Sequence, residues 1–151
     1  MFDGLPFKVI DDFLPYGYWE RIHSFLCSSD FPWYYQENIV HLDQPSKPGC
    51  FGFNYWIFRP EETMCRHNYS RSVQETILPF AFSVQQAIGF KNEISRVRCD
   101  MTVYNPNEHV HDPHVDMIDQ QHVAAVYYVN NSDGNTRIFK EKLPLDGTFN
   151  Y

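Results

Sequence analysis

The chain has 151 residues, enough for one domain with a real core and too few for a second catalytic unit. Hydrophobic residues make up 43% and aromatics 17%, which excludes a polar, unfolded chain and suits a fold with a large sheet. The net charge of −7 argues against broad binding to nucleic acid or to an anionic membrane, since both need clustered Lys and Arg.

The opening MFDGLPFKVIDDFLP has no basic stretch leading into an apolar core, so it does not read as a signal peptide. No apolar run reaches the ~18 residues of a membrane span. Cys27, Cys50, Cys65 and Cys99 have no paired spacing, which argues against a disulfide framework or a zinc ribbon. The expectation is a soluble, cytoplasmic protein with free thiols and no membrane or nucleic-acid partner.

Residues 7–14 (FKVIDDFL) predict a short strand running into a loop. Trp19, Ile22 and Leu26 then recur at helical spacing, and Pro15 suits a helix start, so a helix is expected over about 15–27 with His23 on its surface. FPWYY and CFGFNYWIF are β-prone, and the prolines and glycine of DQPSKPGC between them mark a loop. Their aromatics suit a core, with a peptide groove as the alternative. Ser72 with Glu75 three residues later reads as a capping box; Val73, Ile77, Val84 and Ile88 continue the helical face, and Gly89 is a natural stop. Pro79 inside this pattern predicts a kink or two short helices.

From Ile94 the period changes to two. Val97, Cys99, Met101 and Val103 point one way; Arg96, Arg98, Asp100, Thr102 and Tyr104 point the other. This predicts a strand whose polar face meets solvent or a functional cavity. NPNEHVHDP follows as a loop, HVAAVYYVN reads as a central strand, and NNSDGN reads as a hairpin turn before a strand at TRIFK. LPLDGTFNY reads as a further turn and the beginning of a strand. Helices first and strands afterwards give an α+β layout with a sandwich or barrel in the second half.

The chemistry concentrates in HDPHVDMIDQQHVAAVYYVN, residues 111 to 130. His114 and Asp116 are two apart, so on extended chain they point to the same side and can grip one ion. That suits non-haem Fe(II), which takes two histidines and a carboxylate on one face and keeps the other open. His109 and His111 read as polar loop residues, with a role at a substrate entrance as the alternative. A zinc site from His109, His111, His114 and Cys99 has no supporting spacing.

With Tyr104 before the pair, Tyr128 after it and DGNTRIF beyond, residues 96–139 resemble the Fe(II)/2-oxoglutarate-dependent dioxygenases, most of all their prolyl-hydroxylase branch. The resemblance implies a double-stranded β-helix, or jelly roll, with helices packed on one sheet. It implies His114 and Asp116 as iron ligands and Tyr104 and Tyr128 as hydrogen-bond donors to 2-oxoglutarate. Asp100 and Thr102 would line the cavity. The implied cofactors are Fe(II), 2-oxoglutarate as cosubstrate and O2, with ascorbate admitted as an accessory reductant. The implied reaction is decarboxylation of 2-oxoglutarate to succinate coupled to hydroxylation of a prolyl or similar residue in a peptide or protein.

The family pattern also needs a second histidine on a later strand and, a little further on, an Arg or Lys for the distal carboxylate of the cosubstrate. After Asp116 the sequence has only His122, six residues on and poorly placed to close the triad; the later cations are Arg137, Lys140 and Lys142. The expectation is one domain over 1–151, with a support region over 1–92 and the first barrel strands over 93–151, the last barrel strands missing. Three readings stand side by side: a truncated oxygenase, a non-catalytic binding module derived from one, and a site completed by another chain or by His23, His41 or His67. A half-built barrel with open strand edges predicts self-association.

Overall fold

The computed structural model describes residues 7–39, 49–58, 71–91, 93–106, 111, 114, 116, 122–132 and 134–139. The described residues fall into two compact units, one ending at Phe31 and one beginning at Pro32.

The first unit is built on α1, Tyr16–Leu26. Pro15 is its N-cap, and the Pro15 carbonyl accepts from the N–H groups of Tyr18 and Trp19 at 2.9 and 3.0 Å. A proline costs nothing there, because the N–H it lacks has no partner inside the helix. Ile22 is buried, as the period of the sequence predicts, and the rings of Tyr16, Trp19 and His23 follow one another along the helix at 5.5 and 5.2 Å. Phe31 closes edge-on over Phe25 at 5.4 Å.

The strand expected at 7–14 does not form. Residues 7–10 are irregular, 11–12 turn, and Asp12 adopts a φ of 50°. Phe7, Val9 and Ile10 are exposed. β-branched and aromatic side chains favour a strand only where a neighbouring strand covers them, and none of the described strands pairs with this segment.

The second unit holds a three-stranded antiparallel sheet in the order β1-β2-β3, from β1 (Tyr34–Gln36), β2 (Gly52–Phe58) and β3 (Val97–Thr102), with helix α2 (Arg71–Ile88) contacting β2. The architecture is therefore α+β. β2 is the centre of the sheet and the most buried element: Asn54, Tyr55, Trp56 and Ile57 are all buried, so both of its faces are covered. Val73, Thr76 and Ile77 bury the matching stripe of α2. Of the aromatics in this region, Tyr55 and Trp56 are core, whereas Tyr35, Phe51 and Phe58 stay exposed.

α2 begins at Arg71, so Ser72 lies inside its first turn, and the helix runs through Pro79 as a single element. The carbonyl that Pro79 leaves without a helical donor is that of Glu75. Both residues lie on the exposed side, where water substitutes for the lost bond. Ser83 donates its hydroxyl back to the Pro79 carbonyl at 2.8 Å. Gly89, at a φ of 66°, ends the helix as expected.

The expected central strand at 122–130 also does not form: residues 122–129 are irregular, and Val123, Val126 and Tyr128 are exposed. Among the described residues β3 is an edge strand, and the apolar run has no ladder to join. The segment touches α2 instead, with Tyr127 against Phe80 at 4.8 Å. No turn or flanking strand is assigned over the described residues of NNSDGN, and Asp133 lies outside them. Tyr128 and Thr136 are hydrogen-bonded through their hydroxyls, and the Gly134 N–H donates to the Ser132 hydroxyl at 3.1 Å. TRIFK is exposed and forms no strand over its described residues, 136–139. The DQPSKPGC loop up to Pro48, Cys65 and LPLDGTFNY lie outside the described residues. Cys27, Cys50 and Cys99 are free thiols. No helix among the described residues is long and apolar enough to cross a membrane.

Candidate functional site

β3 has the alternation read from the sequence, and its pairing with β2 assigns each face its neighbours. Trp56 stands opposite Arg98 and Asn54 opposite Asp100, while Gly52 stands opposite Thr102. On the other side of β2, Tyr34 faces Asn54. Paired residues share a face, so Tyr34, Asn54, Trp56, Arg98, Asp100 and Thr102 form one polar-aromatic surface. Gly52 admits no larger residue: an added Cβ would meet the Met101 carbonyl oxygen at 2.9 Å and the Ile39 side chain at 3.0 Å.

Charge on this surface is paired. The Arg98 Nε contacts both carboxylate oxygens of Asp100, at 2.8 and 2.9 Å. The Arg98 guanidinium lies 5.1 Å from the Trp56 ring centre and that of Arg96 6.0 Å away, so two cations flank one indole. Arg96 then reaches out of the sheet: its terminal nitrogen meets the Asp116 carboxylate at 2.6 Å, with each side chain about one-third exposed, 34% and 33%. Two arginines and two aspartates thus form one cluster. Desolvation raises the Asp100 carboxyl above its ordinary value, and the Asp116 charge adds to this; Arg98 and Arg96 pull the other way. On the opposite face, burial and the Asp100 charge push the Cys99 thiol up to about 12, so it behaves as an inert apolar side chain.

Of the residues singled out in the sequence, Asp116 pairs with Arg96 and Asp100 with Arg98, close enough for Asp100 to feel the charges of Asp116 and Arg96. Thr102 ends β3 and is exposed, as is His114. Tyr104 is 84% exposed, and the hydroxyl of Tyr128 is engaged with Thr136. His111 and His122 are half-buried, and Arg137 is exposed. His41, His67, His109, Lys140 and Lys142 lie outside the described residues. Among the described residues no three His, Cys, Asp or Glu side chains converge as a metal group.

His114 and Asp116 fit Fe(II) in donor chemistry: an imidazole and a carboxylate two apart, both reachable from solvent. Asp116 already receives a cation, the Arg96 guanidinium, at 2.6 Å. The pair supplies two of the three donors of a facial triad.

Two features of the surface were not singled out from the sequence. One is the Arg96–Asp116 pair, whose members lie twenty residues apart and meet only by folding. The other is Asn54: it is 0% exposed, and neither its amide oxygen nor its amide nitrogen has a hydrogen-bond partner. Its only sequence signal is a polar residue inside an otherwise apolar β-prone run. No family model matches the chain, and no curated protein or solved structure matches it.

Proposed function

We propose that this chain is a Fe(II)- and 2-oxoglutarate-dependent dioxygenase domain of the prolyl-hydroxylase type, acting on a prolyl or similar residue of a peptide or protein. Its three-stranded sheet would then be part of a double-stranded β-helix. The observation that carries the reading is the position of Asp116. The acid of the His-x-Asp pair is held to Arg96, at the entrance of β3, and so beside the face that bears Asp100 and Thr102. A metal-binding loop must lie against such a face if a cavity is to form between them.

In this reading His114 and Asp116 hold the metal, which when bound supplies oxygen activation coupled to decarboxylation of 2-oxoglutarate. Tyr104 and Tyr128 would donate phenolic hydrogen bonds to the cosubstrate. In the structure the Tyr128 hydroxyl is hydrogen-bonded to that of Thr136. A third ligand and a cation for the distal carboxylate are further requirements, and His122 is the only histidine after Asp116.

A non-catalytic binding module derived from such an enzyme is the second reading. The commitment of the Asp116 carboxylate to a guanidinium favours it. Succinate release from 2-oxoglutarate with added Fe(II) separates the two. The enzyme is expected to form succinate and to lose that activity in His114→Ala and Asp116→Asn. A folded chain that forms none, with both residues intact, favours the module.

A further inference from the structure

Arg96 is placed to do more than pair with Asp116. Its guanidinium sits at 2.6 Å from the Asp116 oxygen and 6.0 Å from the Trp56 ring centre. The cation makes both contacts at once: it is paired with the carboxylate and lies beside the indole that Arg98 also flanks on β3. A divalent ion approaching Asp116 meets an oxygen already engaged by a positive charge. It can bind only by displacing that charge, and the displaced guanidinium keeps a favourable contact at Trp56.

We propose that Arg96 is a built-in competitor for the metal at Asp116: a counter-ion that occupies the carboxylate in the metal-free protein and yields it to a divalent cation while keeping its place beside Trp56. The proposal rests on the reading of His114 and Asp116 as metal ligands. It adds that Arg96 lowers the metal affinity that the donors at this pair would otherwise give. Arg96 is thus a positioning residue: it holds Asp116 beside the start of β3 until the metal takes over the carboxylate.

Calorimetric titration of the native chain, Arg96→Gln, Arg96→Lys and Asp116→Asn with Mn2+ tests this. Arg96→Gln removes the competing charge and is expected to tighten Mn2+ binding about fivefold, the scale of a partly exposed ion pair. Arg96→Lys keeps the charge without the planar fork and is expected to fall between Gln and the native chain. Asp116→Asn is expected to lose most of the binding. If it binds as the native chain does, the metal-site reading itself fails. If Asp116→Asn weakens binding but Arg96→Gln leaves it unchanged or weaker, the competitor role fails and the site stands. A second measurement needs no variant. On titration of the native chain with diamagnetic Zn2+, the Arg96 Nε–H signal is expected to shift with the same half-saturation as the His114 ring signals. An Arg96 signal that stays put while His114 moves overturns the exchange.

Discussion

Replacing Asn54 by Leu is expected to stabilise the protein. Asn54 lies at the middle of the central strand, between Tyr34 and Asp100, with both polar atoms of its amide buried and unpaired. A buried amide without partners costs about 1–3 kcal/mol in lost hydration. Leucine has the same branching, so it removes that cost without a cavity. Its methyls are slightly larger than the atoms they replace, and the crowding returns about 1 kcal/mol. The net gain is about 0–2 kcal/mol, centred on 1, and for a chain of this size each kcal/mol moves the melting temperature by about 2–4 °C. Thermal melts followed by circular dichroism should therefore show Asn54→Leu melting a few degrees above the native protein. Asn54→Asp serves as the burial control: a carboxylate there should lower the Tm at neutral pH and recover as it is protonated. A fall of several degrees in Asn54→Leu would refute the reasoning. It would show that in solution the amide is satisfied, by an ordered water or by a ligand seated on the polar face of β2 and β3.

Gly52→Ala should destabilise by about 1–3 kcal/mol in chemical denaturation, because its Cβ has only the Met101 carbonyl and Ile39 to meet; an unchanged midpoint would mean that β2 and β3 pair differently there. Asp100 should titrate above the ordinary 3.8 by carboxyl NMR. Since the folded form then holds its proton more tightly than the unfolded form, its contribution is fully present below 3.8 and is lost as pH rises through the raised value. Stability relative to Asp100→Asn should fall over that window, and a constant difference would contradict the shift. Thiol labelling of the native protein at pH 8 should modify exposed Cys27 rapidly and spare Cys99, whose thiol is held near 12; equal rates would show that the apolar face of β3 is open.

The parts legible in the sequence are those that local chemistry decides. α1 follows from Pro15 and the recurrence of Trp19, Ile22 and Leu26, and its bounds differ from expectation by one residue at each end. β3 follows from strict alternation over Arg96–Thr102, because a strand with one wet face writes that period directly. Gly89 ends α2 because it tolerates a φ of 66°. The failures are the segments at 7–14 and 122–130, where apolar content alone suggested strands. A strand exists by pairing, and whether an apolar run has a partner is decided by residues far away in the chain. Of the two outcomes read from Pro79, two short helices do not form: α2 continues through it, and the proline falls on an exposed side where water can substitute for the lost bond. In the candidate site, His114, Asp116 and Asp100 were visible as chemistry-bearing residues. The pairing of Asp116 with Arg96, and the place of Arg96 beside Trp56, depend on tertiary contacts that no spacing reveals.

The claim on which the function rests is that His114 and Asp116 form one cation site beside β3. Backbone amide spectra of the labelled chain with a small amount of Mn2+ test it most directly, since paramagnetic broadening marks whatever lies near the ion. Loss of signal centred on His114 and Asp116 and extending to Arg96 is the expected result. Broadening centred elsewhere, for example on the His23–Cys27 turn of α1, or spread evenly over the acidic surface with no centre, would contradict it.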